Sequence, residues 1–270
     1  VATHLPQQFL ASPQGAYSLA GIYYEQHGLP AGPTTPALVL LHGLAAGVPV
    51  WGPTIKILQN SYHLLVPELR GHGRSQGASA PESIAQMAAD VWAIADACGL
   101  KNLYVLGHSM GGAVAQCMAR QHPERVGGLV LFSTFACKEI VWRERLFSQL
   151  AVVGLKIWGV QRFAELNGVF GTGGKRATPA FIELIKRVFR TQTDANMIAS
   201  SQAIFAFDSR PWLATLHMPV LILAGAKDRV MPVHHAFSLK EYLPQAQVYF
   251  CTNAGHALFS THEGWFIYHL

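Results

Sequence analysis

At 270 residues the chain has room for one large α/β domain or two small ones, with enough apolar material for a substantial core. Half of it is hydrophobic and only 13% is charged; the net charge of +5 is scattered without a Lys/Arg-rich run, which argues against nucleic acid or a membrane surface as a partner. No uninterrupted apolar stretch reaches the roughly 18 residues of a membrane span, so stable membrane insertion is not expected.

The first residues, 1–13, lack the basic start, apolar centre and small-residue cleavage site of a secretory leader. Cys98, Cys117, Cys137 and Cys251 are far apart, with neither metal-ligand spacing nor a disulfide framework. They read as free thiols, and the expected compartment is the cytoplasm.

Residues 16–26 predict an opening hairpin. Ala37 to Leu41 is a fully apolar strand ending at His42-Gly43, and Tyr62 to Val66 is another, closed by Pro67. Ser79-Ala80-Pro81-Glu82 has the form of a capping box with an early proline, so a helix is expected to start there. Ile84, Met87, Ala88, Val91, Ala95 and Cys98 then recur at helical spacing until Gly99. Leu103 to Leu106 is a short buried strand. Ala113 to Arg120 is a helix closed by Pro123. Val126 to Phe132, Val220 to Ala224 and Gln247 to Cys251 are further strands. Near-continuous apolar strands alternating with helices predict an α/β fold with a mostly parallel sheet covered on both faces. Trp51 and Trp92 are expected in the packing of that core.

The alternation stops between Phe135 and Trp212. Trp142, Leu146, Leu150 and Val153 have helical spacing, a glycine-rich turn follows at Gly168 to Gly174, and a second helical pattern covers Pro179 to Phe189. The expected organisation is a core of residues 1–134 and 213–270 with a helical cap, 135–212, inserted between sheet strands.

Gly107-His108-Ser109-Met110-Gly111 sits between a strand and a small-residue helix. A serine hydroxyl on such a sharp strand-to-helix turn stands clear of the backbone, where a base can reach it. His256, in Asn253-Ala254-Gly255-His256, follows the last strand and is the candidate base. Asp228, after the strand Val220 to Ala224, is the candidate acid that would hold the histidine tautomer. The order Ser, Asp, His is the one nucleophile-elbow enzymes use. The backbone amides of Leu44 and Met110 are the candidate oxyanion donors. Glu139, Glu165, Asp194 and Asp208 are rival acids within the insertion. Asp228 also reads as a turn aspartate, and His108 as a filler inside the elbow. His234-His235 are adjacent, without a further ligand at metal spacing, so no metal is expected, nor any cofactor.

These motifs resemble the α/β-hydrolase family in its lid-bearing esterase and lipase branch. The resemblance is carried by His42-Gly43 with Trp51 downstream, by Glu68-Leu69-Arg70-Gly71-His72-Gly73-Arg74-Ser75, by Gly107 to Gly112, by Gly225 to Asp228 and by Gly255-His256. It implies a sheet of about eight strands, a cap over the site and a serine hydrolase acting on a small-molecule ester through an acyl-enzyme. The family usually has Asp where Glu68 stands, and a longer last helix than the residues before Leu270 provide. Serine at the elbow argues against dehalogenase or epoxide hydrolase chemistry, for which the family uses aspartate. The same residues serve thioesters, lactones and some carbon–carbon bonds. A carbon–carbon hydrolase of dienoates would need a basic residue such as Arg143, Lys175, Arg190 or Arg210. A perhydrolase activity, or a binding protein for a small apolar ligand, would use the same pocket.

Overall fold

The computed structural model describes residues 14–32, 34–138 and 178–270, together with 144, 146, 149–150, 152–160 and 162. Trp142, Arg143, Lys175, Glu139, Glu165 and the turn Gly168 to Gly174 lie outside the described residues.

Eight strands form one open sheet: β1 (Gln14–Tyr17), β2 (Tyr23–Gly28), β3 (Ala37–Leu41), β4 (His63–Pro67), β5 (Leu103–His108), β6 (Val126–Phe132), β7 (Val220–Gly225) and β8 (Gln247–Cys251). Their spatial order is β1-β2-β4-β3-β5-β6-β7-β8. β1 with β2 and β2 with β4 run antiparallel, and the other five pairings are parallel. The apolar runs are explained by the layers on either side. Val39, Leu41, Leu103, Val105, Leu129, Leu131 and Ile222 point into one core, beneath α2 (Ile84–Ala97) and α3 (Met110–Gln121). Their neighbours Leu38, Leu40, Leu106, Phe132 and Leu223 point into the other, against α1 (Gly52–Leu58) and the C-terminal helices. A strand buried on both faces needs apolar residues at every position. Trp51 is fully buried in the second core, and Trp92 in the first, where its Nε1 donates to the Met118 carbonyl at 3.2 Å.

The start of α2 departs from the expected cap. The helix opens at Ile84 with Ser83 as its N-cap; Ser83 Oγ accepts from the Gln86 amide at 3.1 Å, and Gln86 Oε1 accepts from the Glu82 amide at 2.8 Å. The cap is therefore Ser83, four residues later, with Gln86 reaching back past it to the Glu82 amide. Ser79 is drawn elsewhere: its Oγ accepts from Arg70 Nη1 at 2.7 Å, while the same guanidinium grips Asp90 of α2 through two further hydrogen bonds.

Between β6 and β7 the described residues are helical or irregular, with helices at Pro179–Arg190 and Asp194–Ala206. Thr178 and Thr193 cap them, each hydroxyl accepting an amide three residues on. The segment leaves and rejoins the core at one point. Cys137 and Asp208 form an isolated antiparallel bridge, and the Ser209 amide donates to the Ala136 carbonyl at 2.9 Å. Gln116 of α3 ties both sides down, donating to the Phe135 carbonyl at 3.0 Å and accepting from Ser209 Oγ at 2.7 Å. Among the described residues all four cysteines are unpaired, and no helix is long and apolar enough to cross a membrane.

Candidate active site

Strand β5 ends at His108 and α3 begins at Met110, so Ser109 must reverse the chain in one residue. It does so with φ 54° and ψ −118°, a conformation costing an L-residue about 1–3 kcal/mol. The surroundings hold it there. The Ser109 amide donates to the Phe132 carbonyl at 3.1 Å, and its own carbonyl accepts from the Gly112 amide at 2.9 Å and from Thr134 Oγ1 at 2.6 Å. Thr134, placed by β6, was not singled out from sequence. The elbow glycines are required by contact: a Cβ on Gly107 would strike the backbone of Gly111, one on Gly111 the Leu41 carbonyl, and one on Gly112 the Thr134 side chain.

Asp228 follows β7 and His256 follows β8, so both lie at the same end of the sheet as Ser109, where open parallel sheets hold their ligands. The two readings of Asp228 coincide in one carboxylate. Its Oδ1 accepts from the Val230 and Met231 amides, both at 2.8 Å, as a turn aspartate does; its Oδ2 accepts from His256 Nδ1 at 2.8 Å. With Nδ1–H committed to Asp228, the lone pair of His256 lies on Nε2. Among the described residues no hydrogen bond joins Ser109 Oγ to His256 Nε2, a looseness common in ligand-free sites. Met110 is the first residue of α3, whose amide has no intrahelical partner. Neither it nor the Leu44 amide donates to a protein acceptor among the described residues.

The described rival acids are engaged away from His256. Asp208 pairs with Arg210 at 2.6 Å, a contact that holds its carboxyl below the usual range, and Asp194 Oδ1 accepts from the Val160 amide at 2.6 Å. Arg190 lies 3.7 Å from Glu183, so each described arginine considered for an acidic substrate already faces a carboxylate.

His108 is more than a filler. Its ring stacks on Phe132 with centroids 4.9 Å apart, lies 4.7 Å from the His256 ring, and engages the His256 carbonyl through Nε2 at 3.1 Å. It thereby supports the loop that carries the candidate base. Glu68 shapes a loop. Its carboxylate accepts from the Val48 amide at 3.2 Å and from Arg74 Nη2 at 2.8 Å, joining the turn after His42 to the turn after β4.

Among the described residues, the buried imidazoles of His42, His72 and His108 accompany His256 at this end of the sheet. Burial pushes His42 down to about 4 and, with the neighbouring His42, pushes His72 down to about 3. Burial, then the nearby His256, pushes His108 well below 6.5. His42 donates from Nδ1 to the Gly43 carbonyl at 2.8 Å and accepts the Leu69 amide on Nε2 at 2.9 Å, a pattern only the neutral ring can make. On unfolding below about pH 6.5 each ring takes up a proton that the folded state refuses, so stability is lost as the pH falls from there towards 4. Each such group contributes about 1.4 kcal/mol per pH unit in that window. Melting temperature measured by calorimetry should drop steeply below pH 6, and a profile flat from about pH 7.5 to 4.5 would contradict this account.

His234 and His235 are not without a ligand-type neighbour, as the sequence spacing had it. Their Nε2 atoms reach Glu144 Oε1 at 2.8 and 2.9 Å, a carboxylate supplied from far upstream.

Comparison with known proteins agrees with this fold. The family model for the alpha/beta hydrolase fold matches residues 36–151. The "Pimeloyl-[acyl-carrier protein] methyl ester esterase" of Edwardsiella ictaluri is 32% identical over 237 residues, covering 83% of this chain and 88% of that protein. The chain belongs to the α/β-hydrolase fold family. A second α/β-hydrolase relative, the "Putative carbamate hydrolase RutD" of Azorhizobium caulinodans, is 30% identical over 241 residues, 85% of each chain. The crystal structure of the enol-lactonase from Burkholderia xenovorans LB400 shares the α/β-hydrolase fold, with a TM-score of 0.83 at 22% identity over 94% of this chain and 96% of that one. The family and these relatives make the protein a hydrolase.

Proposed function

We propose that this hydrolase cleaves carboxylic esters of small to medium apolar acyl groups through an acyl-enzyme on Ser109. Ser109 Oγ attacks the ester carbonyl while His256 Nε2 takes its proton, and the Leu44 and Met110 amides hold the oxyanion, each donor worth about 3–4 kcal/mol. As the intermediate collapses, the imidazolium returns the proton to the departing alcohol. Water then attacks the acyl-enzyme by the same route and releases the acid and free Ser109. Asp228 holds the His256 tautomer and stabilises its cation. The single observation that carries this reading is Ser109 at φ 54° at the end of β5, on the sheet end that also holds the Asp228–His256 pair.

Residues 135–212 are proposed as a cap over this site. Leu155, Val160 and Met197 from that segment pack with Ala45, and Leu44, Phe189 and Ile198 join the cluster. An apolar surface thus abuts the loop that would hold the oxyanion. An apolar acyl pocket gains about 0.8 kcal/mol per buried methylene, roughly fourfold in kcat/KM. In a series of nitrophenyl esters, kcat/KM should rise from acetyl to butyryl or hexanoyl and fall for long chains. A maximum at acetyl, or preference for a carboxylate-bearing acyl group over a neutral one of equal size, would overturn the apolar pocket.

A lactone is the second reading. The "3-oxoadipate enol-lactonase 2" of Acinetobacter baylyi is 26% identical over 217 residues, 77% of each chain. A lactone is an ester whose leaving hydroxyl stays tethered, so the same steps open it. Lactones placed beside the linear esters in one assay distinguish the two.

A further inference from the structure

At the same end of the sheet as Ser109, one cluster has no part in the chemistry above. His234 and His235 open the helix His234–Tyr242, which follows the turn carrying Asp228. Their rings lie 4.5 Å apart, and both Nε2 atoms converge on one oxygen of Glu144, at 2.8 and 2.9 Å. One donor atom from each residue falls within 4.8 Å of the others. Two imidazoles at successive positions meet here because they begin a helix, where the chain is still turning, rather than lying along one face.

We propose that Glu144, His234 and His235 bind a divalent transition-metal ion of the Zn2+ class, bridging the segment between β6 and β7 to the helix after Asp228. Two imidazole nitrogens and one carboxylate oxygen suit Zn2+, Co2+, Ni2+ or Cu2+, whereas Mg2+ and Ca2+ prefer oxygen throughout. Zn2+ bonds to such donors are about 2.0–2.1 Å long. His235 is nearly inaccessible, with 1% of its side chain exposed, while His234 is 40% exposed, so the site is walled on one side and open to solvent and a fourth ligand on the other. Nδ1 of His235 is buried with no hydrogen-bond partner among the described residues, so what occupies Nε2 decides its tautomer. Lys138 opposes the ion: its charge is felt at His235. The affinity expected is therefore micromolar, below that of a dedicated structural zinc site.

The test is a Zn2+ titration of the untagged full chain after chelator treatment, read by competition with a chromogenic chelator and by melting temperature. The wild type should take up one ion at micromolar Zn2+ and melt several degrees higher with it. Glu144→Gln and His234→Ala, both partly exposed positions that should fold, should each lose about 100-fold or more in affinity together with the melting shift. His122→Ala, at an exposed imidazole elsewhere, should behave as wild type. Absence of a micromolar site in the wild type would overturn the proposal, as would binding unchanged in both Glu144→Gln and His234→Ala. The readout is binding, so the result stands whatever ester or lactone the enzyme hydrolyses.

Discussion

Ser109→Ala is expected to reduce ester turnover by about a millionfold while leaving the fold intact. In the proposed mechanism the hydroxyl forms the acyl-enzyme, and the oxyanion donors alone would give only a small residual rate. The fold should survive because the elbow is held by backbone groups and by Thr134 Oγ1, none of which uses Ser109 Oγ. A folded Ser109→Ala protein that still turned over nitrophenyl butyrate at near wild-type rate would end the proposed mechanism. Labelling by an organophosphonate should disappear with the same substitution.

The second large effect is at Asp228. Asparagine keeps an oxygen where Oδ1 accepts the Val230 and Met231 amides, so the turn should remain. It places an amide NH2 where Oδ2 accepts from His256 Nδ1, and two donors cannot face each other. The imidazole then adopts the other tautomer and loses its counter-charge, at a cost of about 10⁴-fold in kcat. Asp208→Asn and Asp194→Asn should be mild, since these carboxylates serve Arg210 and the Val160 amide. Steady-state kinetics on the three variants decide the matter: Asp208→Asn as damaging as Asp228→Asn would make the assignment of the acid wrong.

The strands were legible in the sequence because a two-sided parallel sheet leaves its mark at every residue. Leu38 to Leu41 is apolar throughout because alternate side chains enter different cores, and in Leu103 to Leu106 only Tyr104 escapes burial. The start of α2 was misplaced because Ser79 and Ser83 offer similar capping patterns, and only the long-range grip of Arg70 on Ser79 and Asp90 separates them. Candidate residues of the site could be named because Ser109, Asp228 and His256 each follow a recognisable strand. The support around them could not. Thr134 beneath the elbow, the His256 carbonyl on His108 and Glu144 beside His234 and His235 are contacts between residues 25, 148 and about 90 positions apart. Nothing in local periodicity encodes such pairs.

The joint at Cys137 and Asp208 has one more consequence. Because the chain leaves and returns through the same bridge, locked by Ser209 and Gln116, its closure is fixed by the core rather than by whatever lies between. Lengthening a closed loop costs only about 0.6 kcal/mol per doubling of its length. The intervening stretch is therefore free to vary in size and sequence over evolutionary time, or to be exchanged for another by design, while Ser109, Asp228 and His256 stay where the sheet puts them.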